Sequence, residues 1–323
     1  MTEIVLVHGI QHEQGSAGEL ELAWLPALAG GLQKVGRGDL AEGVWHRGRA
    51  GSLDVRMAFY GDAFLAPEGE GLTPLQQQEI ERGNDRRQRS IAICVLENVV
   101  RNSEDPGQRA AAAEELARLR AEPPESMGVK SVARSVAHAL LDIPCLGGPA
   151  FAALGVVKPP VRQLSRYFVE PGLRRGILTR VGAHIDEGTK VVIAHSLGCV
   201  VAYEALWERA DDPHRSSSTA LLLTIGSPLG LGPIHRKLFR RPLGPPAGVR
   251  GWVNIADPTD FVAAHHDHAR LFPDPHREDP ARRTEMTGVP LPVDNGAEPH
   301  TGTHYLTKKV CAYHVAKALD PDS

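Results

Sequence analysis

Five short apolar runs punctuate the chain: Ile4–Val7, Val55–Tyr60, Val191–Ala194, Ala220–Ile225 and Trp252–Ala256. Several are β-branched and nearly continuous instead of alternating with polar residues, the pattern of strands covered on both faces in a parallel sheet. After the first, the third and the last run, apolar residues return with helical spacing. They predict helices over Leu20–Val35, Gly198–Arg209 and Thr303–Leu319. Strands alternating with helices predict an α/β layered architecture.

From about Phe64 to Gly188 no strand pattern recurs. Helical patterns cover Pro74–Arg101, Gln108–Ala121, Val129–Leu141 and Val161–Ile185, broken at Pro106-Gly107, Pro123-Pro124, Gly147-Gly148-Pro149 and Pro159-Pro160. A structureless loop of that length is rare in a compact domain. Residues 64–179 are therefore expected to form a helical cap or insertion in a core built from 1–63 and 180–323. A second irregular stretch, Phe272–Gly302, is rich in Pro, Asp and Arg.

Composition narrows the function class. Apolar residues make up 42% of the 323 positions and charged ones 23%, which excludes a disordered or fibrous chain. Lys and Arg number 36 against 39 Asp and Glu. No global field draws such a chain towards nucleic acid or an anionic membrane. The four cysteines, Cys94, Cys145, Cys199 and Cys311, are far apart, as expected of thiols in a reducing compartment. No secretory pattern precedes Ile4, and the uncharged stretches Ile143–Val157 and Ser216–His235 are interrupted by Pro and Gly. A cytoplasmic protein without a transmembrane segment is the expectation.

The segment Lys190–Trp207 is the richest in chemistry. An apolar run ends at Ala194, Ser196 follows, and Gly198 opens a helical pattern. Small residues two before and two after a serine permit a sharp strand-to-helix turn. The turn lifts the hydroxyl clear of the sheet, to a helix N-terminus that favours a developing anion.

With AHSLG at 194–198, IVLVHGI at 4–10, LLLTIGSPLG at 221–230, WVNIADPTDFV at 252–262 and GTHYL at 302–306, the chain resembles the α/β-hydrolase family, in its lipase- and esterase-like branch. The resemblance covers the core and leaves 64–179 unmatched. It implies an α/β-hydrolase fold, a mostly parallel central sheet flanked by helices with a large helical cap insertion. It also implies a nucleophile, an acid and a histidine in that chain order. By the resemblance, Ser196 is the expected nucleophile. For the acid, Asp260, followed by Phe261-Val262, is preferred, with Asp257 as second choice. For the base, His304, just before a helical pattern carrying Leu306, Val310 and Tyr313, is preferred over its competitor His300. His8-Gly9 resembles the oxyanion-loop dipeptide, and the backbone N–H groups of Ile10 and Leu197 are the implied oxyanion donors. His8 itself is expected to tie the loop down.

Other candidates are read more plainly. His265-His266-Asp267-His268 lacks a matching metal-ligand cluster and is expected at a surface or pocket rim. Cys199 is expected to be a small buried hydrophobe, and Ser227 a pocket wall. Arg82–Arg89 is expected on a solvated helix face, and Ile143–Val157 in a buried cap segment or a lid. The resulting expectation is a serine hydrolase acting on a small-molecule or lipid-like ester, with no metal, no organic cofactor and no nucleic-acid partner. A thioesterase or acyl transferase and a non-catalytic binding module of the same fold are the alternatives.

Overall fold

A computed structural model describes residues 2–46, 52–65, 89–103, 105–121, 159–211, 219–238, 243–263 and 267–322. The apolar runs form strands β1 (Ile4–Val7), β2 (Val55–Met57), β3 (Val191–His195), β4 (Thr219–Ile225) and β5 (Val249–Ala256). Their order, β2-β1-β3-β4-β5, continues into β6 (Glu285–Met286), and every pairing is parallel. A further strand, β7 (Leu291–Pro292), also pairs with β5. β6 lies beside Gly251 and Trp252, and β7 beside Ile255 and Ala256, so the two act as one interrupted edge.

Alternation along the strands divides the apolar side chains between two faces. Ile4, Leu6, Val191, Ile193, Leu221 and Leu223 pack with Leu28 and Leu32 of the helix Ala17–Lys34 and with Cys311 and Val315 of the helix Lys309–Leu319. On the other face Val5, Val7, Val192 and Leu222 join the helix Leu197–Asp211 and Ile177 of the helix Pro171–Gly182. The same cluster takes in Leu96 of helical residues 89–102 and Leu119 of the helix Pro106–Ala121. The architecture is α/β, with a mostly parallel central sheet flanked by helices. Among the described residues no helix is long and apolar enough to cross a membrane.

Several boundaries differ from the sequence pattern. The helix expected over Val161–Ile185 is two, Pro159–Val169 and Pro171–Gly182. Glu170 is extended (φ −99°, ψ 96°) because the ring of the following proline disfavours helical backbone before it. Thr303–Leu319 also divides, into Gly302–Leu306 and Lys309–Leu319. Tyr313 is 55% exposed instead of sharing an apolar face with Leu306. β2 stops at Met57, short of Tyr60, whose N–H turns to the His8 ring. Arg89, expected in solvent, donates from Nε to the Leu119 carbonyl (3.1 Å) and ties two helices together. The expected helix Val129–Leu141, the stretch Ile143–Val157 and the first part of Pro74–Arg101 lie outside the described residues.

One buried polar clasp joins the helices beneath the sheet. Glu204, fully buried, accepts from Tyr167 Oη (2.6 Å) and from Arg174 Nε (2.8 Å), and Arg174 Nη2 bonds its other oxygen. Removing one partner of such a group strands the others without compensation. Glu204→Ala is expected to cost about 3–5 kcal/mol of unfolding free energy in urea titration, and Glu204→Gln, which keeps an acceptor, less.

Candidate active site

The strand order reverses between β1 and β3, because the chain leaves β1 for one edge and returns on its other side. In open parallel sheets the crevice beyond such a switch point, at the carboxyl ends of the strands, is where ligands bind. Ser196 stands there, one residue past β3 and one before the helix Leu197–Asp211. Its φ is +54°, a left-handed conformation rare for a residue with a side chain. Its N–H donates to the Ile225 carbonyl (3.2 Å), and its own carbonyl accepts from Cys199 N (2.9 Å).

The turn leaves no room at its neighbours. A Cβ on Gly198 would lie 2.4 Å from the carbonyl oxygens of both Val7 and His8, and one on Gly9 would lie 2.9 Å from Ser196 Cβ. Bare glycine lets the helix start pass over the end of β1.

The residues around the hydroxyl come from three distant loops. Ser196 Oγ lies 3.0 Å from His300 Nε2, and His300 Nδ1 lies 2.8 Å from Asp260 Oδ2. Asp260 is fully buried. Its Oδ1 accepts from the N–H groups of Val262 (3.1 Å) and Ala263 (3.2 Å), and its Oδ2 also accepts from Tyr305 Oη (2.8 Å). Burial pushes this carboxyl up, but the facing His300, Tyr305 and His195 outweigh it, and the group sits below its ordinary range. Gly226, at φ +56°, makes room: a Cβ there would lie 3.0 Å from Asp260 Oδ2 and 3.2 Å from His300 Nδ1.

This geometry corrects the preferred histidine. His304 does not meet the serine. It lies inside the short helix Gly302–Leu306, with Nδ1 on the Asn295 carbonyl (3.2 Å), Nε2 4.0 Å from Glu298 and a 40% exposed side chain. The helix turns His304 outwards, and its neighbour Tyr305 reaches the acid instead. His300, in the loop before that helix, is the residue within reach. Asp260 faces it, while Asp257 closes a turn through Thr259 N (2.8 Å) and Thr259 Oγ1 (2.6 Å) and holds Asn295 N. Tyr305 Oη links the two acids, accepting from Asp257 N (3.0 Å) while donating to Asp260.

Compared with protein-family models, with curated proteins and with solved structures, the chain matches none.

His8 ties down the loop beside the serine. Its Nε2 accepts from Tyr60 N (3.0 Å), which places the proton on Nδ1, 2.7 Å from the Gly9 carbonyl. Tyr60 stacks on the ring with centroids 4.1 Å apart and donates its hydroxyl to the His8 carbonyl (2.6 Å). Further along, Gln11 has φ +66° and donates its N–H to Gln163 Oε1 (2.8 Å). Among the described residues, neither Ile10 N nor Leu197 N donates to another group. Ser227, expected on a pocket wall, is fully buried, with Oγ accepting from Leu229 N (3.3 Å). Cys199 is buried with Sγ on the Ala194 carbonyl (3.1 Å), and burial pushes its thiol up to about 12. Such a thiol is no nucleophile at neutral pH.

His265 and His266 fall outside the described residues. Asp267 caps the helix His268–Leu271, and His268 is buried between Trp252 and Phe272. Among the described residues no group of three or more His, Cys, Asp or Glu is placed to hold a metal ion. The sequence pattern also passed over His195, the residue before the serine, and Tyr305. Both are polar groups flanked by motif residues, and only their buried partners reveal them.

Burial, the leading cause for both, lowers the His8 and His195 imidazoles to about 3 from the ordinary 6.5. Between pH 6.5 and 3 the unfolded chain takes up protons that the folded chain refuses, so stability is full above that window and falls as pH drops through it. Each histidine contributes about 1.4 kcal/mol per pH unit well inside the window. Urea unfolding from pH 7 to pH 4 should show this acid weakening, and His195→Phe should lower its slope by about one histidine's share. A stability flat between pH 6 and pH 4 would contradict the buried, neutral state of both rings.

Proposed function

We propose that the chain is a serine hydrolase of the α/β-hydrolase type, cleaving a carboxylic ester through an acyl-enzyme intermediate. One observation carries the reading: Ser196, on a left-handed turn between strand and helix, lies in line with His300 and Asp260 at 3.0 and 2.8 Å. The parallel sheet and the chain order Ser–Asp–His agree with it.

In this mechanism His300 Nε2 takes the Ser196 proton as Oγ attacks the ester carbonyl. Asp260 holds Nδ1–H and stabilises the imidazolium. The N–H groups of Ile10 and Leu197 receive the oxyanion, each worth about 3–4 kcal/mol if well placed. His300 then gives its proton to the departing alcohol, and the acyl group stays on Oγ. Water attacks that ester with His300 again as base, releasing the acid and restoring the serine.

Fluorophosphonate labelling with peptide mass spectrometry tests the assignment. The wild-type chain is expected to carry the adduct on Ser196. His300→Ala should slow labelling by at least about 10³-fold, whereas His304→Ala should stay within a few-fold of wild type. Labelling undiminished in folded His300→Ala, or no adduct on folded wild type, would refute the triad.

A further inference from the structure

His195 ends β3 and occupies the variable position between Ala194 and the serine. It is a buried histidine that the mechanism above does not use. Its Nε2 lies 2.8 Å from the His300 carbonyl oxygen. A carbonyl only accepts, so the ring carries its proton on Nε2 and donates it there. Two glycines are fitted around the rest of the ring. A Cβ on Gly9 or on Gly302 would come within 3.3 Å of Nδ1, and one on Gly302 would also lie 3.2 Å from Trp24 Cζ2. The His195 and His300 rings lie 4.7 Å apart at 43°, and Trp24 meets His195 edge-on at 6.2 Å.

Two consecutive residues thus grip one distant residue at two points. Ser196 meets the His300 imidazole, and His195 meets the His300 carbonyl, 105 positions along the chain. The segment that presents His300 is irregular and has few other ties, among them Thr301 N to the Glu298 carbonyl (3.1 Å) and Asn295 Nδ2 to the Pro299 carbonyl (2.9 Å). Asn295 N is in turn held by Asp257 just past β5, so that tie reaches the sheet at Asn295, whereas the His195 bond holds the His300 backbone itself to the end of β3.

We infer that His195 is a positioning residue, fixing the His300 backbone against the strand end that presents the nucleophile so that Nε2 stays in line with Ser196 Oγ. The inference rests on the triad proposed above. Misplacing a reacting group by about 1 Å can cost on the order of 10²-fold in rate. His195 is not itself a proton carrier. Burial above all, with His300 and His12 adding to it and Asp260 and the bond to the His300 carbonyl opposing, lowers its imidazole to about 3. It therefore keeps donating from Nε2 while His300 takes up and releases protons.

The test separates the hydrogen bond from the space the ring fills. His195→Phe keeps a ring without the donor. His195→Gln keeps an amide donor near Nε2, and His195→Asn offers one too short to reach. Labelling of Ser196 is followed against fluorophosphonate concentration, giving the maximal rate and the half-saturating concentration separately. The Phe and Asn variants are expected to lose about 10- to 100-fold in maximal rate at an unchanged half-saturating concentration. The Gln variant should recover to within a few-fold of wild type, although thermal melting ranks the variants differently. If Phe does not fold, the Asn and Gln pair gives the same comparison. A folded Phe or Asn variant labelling at the wild-type rate, or Gln falling as far as the others, would overturn the positioning role while leaving the triad intact. Wild type that fails to label at Ser196, or that labels equally with His300→Ala, would instead overturn the triad and this inference with it.

Discussion

A serine held in left-handed backbone between β3 and its helix imposes the tightest constraint in the molecule. Such a conformation costs on the order of 1–3 kcal/mol and persists only where its surroundings over-determine it. Here they do. Its N–H is taken by Ile225, its carbonyl by Cys199, and the following helix packs into a mainly apolar layer, its buried Glu204 matched by Tyr167 and Arg174. The same turn dictates the neighbouring residues, since β1 and the helix start approach so closely that only glycine fits at positions 9 and 198.

The second constraint is electrostatic. A carboxylate without access to water is costly unless its oxygens are matched by donors. Those facing Asp260 include two backbone N–H groups, the Tyr305 hydroxyl and the His300 ring. Tyr305 can serve because burial and both neighbouring acids hold its phenol protonated far above the ordinary range. Its hydroxyl accepts from the backbone of Asp257 and donates to the carboxylate of Asp260, so the turn at the end of β5 and the first turn after the loop settle together. The charge is thereby kept on the residue that faces the histidine.

The sheet was legible because strands covered on both faces are mostly apolar: β1 wholly, β3 up to its terminal His195, β4 between its threonines, and β5 over Trp252–Ala256 with only Asn254 interrupting. β6 and β7 were not, since two residues carry no periodicity and Pro292 argues against a strand. The serine was legible from the small residues its turn demands, and Asp260 from its place after a strand. The histidine was not. His300 and His304 differ by four positions in an irregular segment, and which one points inwards depends on where the helix begins. That start is fixed by Gly302 seating against His195 and Trp24, a contact between residues more than a hundred positions apart. The helix breaks were readable in part, as with Glu170 before Pro171, whereas Tyr313 carried an apolar ring to an exposed position without any local signal.

The long sequence separations within the site also bear on how the chain is made. The serine and its strand-turn-helix unit precede His300 by 104 residues. At a synthesis rate of about 5–20 residues per second, Ser196 would leave the ribosome roughly 5–20 s ahead of His300. Parallel pairings between remote segments form late, because the intervening chain must first be brought together. During that interval the hydroxyl has no His300 ring to meet. In a nascent or half-folded chain Ser196 has no imidazole beside it, and the line from Ser196 through His300 to Asp260 exists only once the last loop docks onto the finished sheet.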